Sequence, residues 1–133
     1  MKAYQELGRA AHYLMDVGNP YHSNLANPDK IKHDFYEEYV ENHVGDWHLD
    51  LEAYQAPKIS ISNPKDAVKS LAKFSHDFRD ELDSAIEVEW VGPYYFVSVK
   101  DEKTIKQVTL KLVRKTAGYT KGLIEYFNNN PSP

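Results

Sequence analysis

Apolar residues recur at helical spacing in four stretches of the chain. Leu7, Ala10, Ala11, Leu14 and Val17 share one face over residues 3–17, and Gly18 with Asn19-Pro20 stops that helix. A second helix is expected to start near Pro28, with Asn27 as N-cap, and to end before Gly45. Phe35, Tyr36, Tyr39 and Val40 form its apolar stripe. Residues 45–62 read as a connecting loop. Asn63-Pro64 repeats the start signal, and Ala67, Val68, Leu71, Phe78, Leu82, Ala85 and Ile86 continue one stripe to about Glu87. The last helix spans about 102–127, with Ile105, Val108, Leu112, Tyr119, Leu123 and Tyr126 inward. Gly118 and Gly122 stand four apart on it and leave room for close contact with another helix.

Residues 88–99 contain Trp90-Val91-Gly92-Pro93-Tyr94-Tyr95-Phe96-Val97. This run has β character, but Gly-Pro interrupts it, which argues for an ordered aromatic loop or one short hairpin rather than a sheet. Asn128 to Pro133 read as a frayed tail. The pattern therefore predicts an all-α fold of about four helices, in a single domain over residues 1–133.

Composition narrows the chemistry. A chain of 133 residues can bury one core. Its 13% aromatic content argues against disorder, and no run approaches the ~18 apolar residues of a transmembrane segment. A net charge of −4 argues against general nucleic-acid binding. With no cysteine there is no disulfide and no thiolate ligand, so any metal must use His, Asp and Glu. Met1-Lys2 leads into a polar amphipathic stretch, so no secretory signal is expected. Lys111, Arg114 and Lys115 read as a solvated basic face.

His12 and Asp16 are four apart on the first helix, so their side chains meet on one face. His22 follows just past the helix stop, and His33 and Glu37 are again four apart on the second helix. One such pair alone is ordinarily a solvated ion pair. Five nitrogen and oxygen donors within 26 residues suit zinc in the absence of thiolate. Gly8, Ala10 and Ala11 are small and admit a ligand or a neighbouring segment.

The stretch from Gly8 to His22, with His-Tyr-Leu-Met-Asp at 12–16 and Pro-Tyr-His at 20–22, resembles the metal-binding core of the bacterial zinc-dependent phospholipases C. The fungal single-strand-specific nucleases share that core with variations. The family pattern is H-Y-L-x-D, five residues, His, then a helix carrying H-x-x-x-E. The match covers residues 8–40, and the closing Glu37 resembles the phospholipases rather than the nucleases. The resemblance implies a helical bundle like the C-terminal half of that fold, with three zinc ions in a cleft that cleaves a phosphodiester. It implies one complete zinc site at His22, His33 and Glu37, with His12 and Asp16 on a zinc pair and Asp16 as the bridging carboxylate. Zinc neutralises phosphate charge and lowers the pKa of water toward ~7. Members of the family are often exported.

The family draws its remaining ligands from an upstream half: an N-terminal Trp, a nearby His, and a further Asp and His. The eleven residues before His12 contain none of these types. The expectation is one well-supplied zinc site, in either the C-terminal piece of a longer protein or a reduced relative. His43, His48 and His76 are weaker candidates for replacement or supporting ligands. The ten tyrosines suit an amphipathic cleft or plain packing. The first functional reading is a zinc-dependent phosphodiester hydrolase with phospholipid as the implied substrate class, although nothing in these residues selects it over a nucleotide. The alternative is a non-catalytic, zinc-stabilised helical domain that binds a partner or ligand.

Overall fold

The computed structural model describes residues 30–130. Five helices and one hairpin are found there: α1 (Lys30–Asn42), α2 (Leu49–Gln55), α3 (Pro64–His76), α4 (Arg79–Ala85), β1 (Ile86–Val91), β2 (Tyr94–Val99) and α5 (Glu102–Asn129). The helix expected over residues 3–17, the Asn27-Pro28 start and the end of the tail lie outside the described residues.

The long helix α5 is the surface on which the others pack. Asp101 starts it by accepting the Thr104 amide at 3.1 Å and the Thr104 hydroxyl at 2.7 Å. Its 28 residues span about 42 Å, enough to serve two apolar clusters in turn. Ile105, Val108 and Leu112 join Tyr36, Trp47, Leu49, Leu82 and Ile86 in the larger one. One end further on, Leu123 packs with Leu71, and Ile61, Val68, Tyr119 and Phe127 close around them.

These two clusters explain why the single helix expected over 64–87 is two. Asn63 caps α3 as the sequence suggests, accepting from the Lys65 amide at 2.9 Å. The helix then breaks at Asp77-Phe78, so that Leu71 serves one cluster and Leu82 the other, both fully buried. Ile86, expected on the helical stripe, and Glu87 belong to a strand. The expected loop 45–62 also contains a helix, α2, because Trp47 and Leu49 need burial against α5. His48 joins them in the left-handed region at φ 54°.

The all-α expectation is corrected: helices are combined with a two-stranded antiparallel sheet. Ile86 pairs with Val99 and the ladder closes at Val91–Tyr94, leaving Gly92-Pro93 as a two-residue turn. Gly92 has φ 62°, and proline fixes a negative φ beside it, the pattern of a II′ hairpin turn. Of the two readings of this run, loop or short hairpin, the structure has the hairpin, with Gly92-Pro93 as its turn. Ile86, Val97 and Val99 anchor the hairpin base in the larger cluster.

Gly118 and Gly122 do permit a close approach, but to an extended strap rather than to a helix. The strap, residues 56–61, crosses α5 there, and the Ile59 amide donates to the Gly118 carbonyl at 3.0 Å. Lys121 donates to the carbonyls of Tyr54 and Ala56 at 2.7 and 2.5 Å, and Lys58 pairs with Glu125. A β-carbon on Gly118 would sit 2.7 Å from the Pro57 carbonyl oxygen, and one on Gly122 would overlap the Ile59 carbonyl. Gly122→Ala should therefore destabilise the protein by about 1–3 kcal/mol, measured by thermal or urea unfolding. Gly45→Ala, where a β-carbon meets nothing within 4 Å, should stay within about 0.5 kcal/mol.

Candidate metal centre

Helix α1 carries the described part of the five-residue set. One helical turn brings His33 and Glu37 together, with His33 Nε2 3.3 Å from Glu37 Oε1. The other ring nitrogen, Nδ1, lies 2.9 Å from Asp34 Oδ1. The ring is mostly shielded, whereas the Glu37 carboxylate is half-exposed. His12, Asp16 and His22 lie outside the described residues. Among the described residues, no group of three or more His, Asp or Glu forms a metal cluster.

His33 and Glu37 supply two donors of the types zinc takes. Nε2 and a carboxylate oxygen converge on one face, while a second carboxylate faces Nδ1, an arrangement that orients a ligating imidazole and raises its basicity. Spacing alone did not point to Asp34, because adjacent helical residues do not ordinarily face each other.

Packing fixes α1 from below. Tyr36 is buried, and its hydroxyl shares a 2.9 Å hydrogen bond with the buried Thr109 hydroxyl of α5. Lys32 donates to the Asp83 carbonyl of α4 at 3.0 Å. These contacts set the direction in which His33 and Glu37 project.

Glu37 also borders an open groove of about 740 Å³ between α1, α2 and α5. Val40, Ala53, Leu112 and Val113 make its walls apolar, and Asp50 and Lys121 stand among its few charges. The sequence did not reveal the groove, because α2 was read as loop.

The other histidines have structural roles or lie on the surface. His43 stacks on Trp47 with ring centroids 4.4 Å apart and meets Asp46 Oδ2 at 2.8 Å. That hydrogen bond to His43 holds the Asp46 carboxyl below its ordinary range. His48 is exposed at the start of α2, and His76 is exposed at the end of α3. The basic run is more engaged than a solvated face. Arg114 donates to Glu52 at 2.6 Å, and Lys111 and Lys115 sit over the rings of Phe78 and Phe74.

Burial pushes the Tyr36 hydroxyl up to about 12, against the lowering effect of its bond to Thr109. Unfolded, this group ionises near pH 10; folded, it holds its proton to higher pH. Its contribution is thus fully present below pH 10 and is lost as pH rises from 10 toward 12, a change of roughly 3 kcal/mol. Tyr36→Phe should flatten that part of the stability profile, measured by urea unfolding at stepped pH. At neutral pH it should cost about 1–3 kcal/mol by leaving the Thr109 hydroxyl without this bond, and adding Thr109→Val should recover part of the loss.

Searches of family models, characterised proteins and solved structures found no match to the chain.

Proposed function

We propose that the chain is a zinc-dependent phosphodiester hydrolase of the phospholipase C type. The reading is supported above all by His33 and Glu37, which stand 3.3 Å apart on one face of α1 at the spacing the motif requires. In this reading His22, His33 and Glu37 would hold one zinc ion, and His12 and Asp16 would supply ligands to a zinc pair, with Asp16 as the shared carboxylate the resemblance implies. His33 binds through Nε2 and donates Nδ1–H to Asp34, which fixes the ring. Glu37 supplies negative charge at the edge of the groove. Zinc held there supplies Lewis acidity toward a phosphodiester. The apolar walls beside Glu37 suit a substrate with an apolar substituent, which favours a phospholipid over a nucleotide.

The same groove favours a second reading, a non-catalytic zinc-stabilised domain that binds a ligand or partner. Metal analysis and activity separate the two. Elemental analysis should find one tightly held zinc per chain, with partial or weak occupancy elsewhere. Chelation should lower the Tm, since zinc at 100 times its Kd adds about 2.7 kcal/mol. His33→Ala should remove most of that difference. Identical melting with and without chelator would overturn the zinc site. Hydrolysis of a chromogenic phosphodiester should be slow, and should be abolished by chelator and by Asp16→Asn. Turnover that survives Asp16→Asn would overturn the assigned role of Asp16, and zinc binding without any turnover would favour the second reading.

A further inference from the structure

The β1–β2 hairpin ends in a tip that the other described residues leave uncovered. Tyr94 is 72% exposed, Phe96 62% and Trp90 59%, with Val91 and Tyr95 about half exposed. From Trp90 to Val97 the chain carries no charge. Side chains of paired residues share a face, and faces alternate along each strand. The register therefore puts Trp90 and Tyr95 on one face, with ring centroids 5.2 Å apart, and Val91, Tyr94 and Phe96 on the other.

We propose that this tip docks into the interfacial layer of a zwitterionic lipid surface. A flat protein partner would cover one face of the hairpin, whereas a fluid interface surrounds both. Trp and Tyr combine an apolar body with a polar tip, the chemistry favoured at the headgroup level. Charge selects the kind of surface. Residues 86–99 contain no Lys or Arg, while Glu89 stands directly across from Phe96 at the lower edge of the tip and Glu87 lies below it, so an anionic surface gains nothing here. Glu89 also limits depth. It stands two residues before Val91, about 7 Å along the strand, within the ~5–10 Å to which interfacial elements sink. Among the described residues the sheet has two strands, and its outer edges, unpaired there, likewise keep the tip in the hydrated layer.

This proposal is independent of the zinc reading, and its test avoids catalysis. The full chain, with chelator present, is floated with phosphatidylcholine vesicles while tryptophan emission is followed. Trp47 is buried, so any change on binding reports Trp90. The chain should co-float, its emission should shift to shorter wavelength, and phosphatidylglycerol should not strengthen binding. Tyr94→Glu/Phe96→Glu should lower partitioning by about tenfold or more. Tyr94→Ser/Phe96→Ser, which places no second carboxylate opposite Glu89, should weaken it too with circular dichroism and melting unchanged. Absence of co-flotation, binding that survives both double variants, or binding only to anionic vesicles would overturn the proposal. Self-association abolished by the same variants, without vesicle binding, would assign the tip to a second copy instead.

Discussion

The approach of the 56–61 strap to α5 is the constraint on which the rest of the described structure depends. Two glycines on one face of α5 let the strap backbone lie against the helix, close enough for the Ile59 amide to reach the Gly118 carbonyl. The crossing brings Ile61 into the smaller cluster and holds α2 at the side of the larger one, where Lys121 takes up two of the carbonyls near its C-terminal end. A cation there also opposes the negative end of a helix dipole. Without that approach α2 would lose its seat and the groove beside Glu37 would lose a wall.

The candidate metal centre inherits its geometry from this packing. Tyr36 points inward to Thr109, Phe35, Tyr39 and Val40 pack on the same cluster, and Glu37 stands on the exposed side of α1. His33 is partly sheltered and Glu37 reaches the groove edge. A buried hydroxyl pair is a strong locator, because each partner would be costly to leave unmatched in a dry interior. The chemistry proposed for α1 thus rests on a hydrogen bond that takes no part in it.

Much of this was legible in the sequence. Asn63-Pro64 marked a helix start, the stripe of α5 was plain, and the His33/Glu37 spacing placed both side chains on one face. What was missed has physical causes. A stripe continued through Asp77-Phe78 looks like one helix, because periodicity does not reveal that Leu71 and Leu82 serve different clusters. For residues 88–99 the sequence left a loop and one short hairpin open, and the pairing of Val91 with Tyr94 across Gly92-Pro93 decides for the hairpin. The short helix α2 is set by the burial of Trp47 and Leu49, a tertiary effect that local pattern does not carry. The pairing of Asp34 with His33 depends on side-chain geometry between adjacent residues, which helical spacing rules overlook.

The central claim is that α1 presents an imidazole and a carboxylate to zinc. X-ray absorption at the zinc edge of the loaded chain tests it most directly. The account predicts a shell of nitrogen and oxygen only, at about 2.0–2.2 Å, with outer-shell scattering from imidazole that diminishes in His33→Ala. A shell of oxygen alone, unchanged by that substitution, would contradict it.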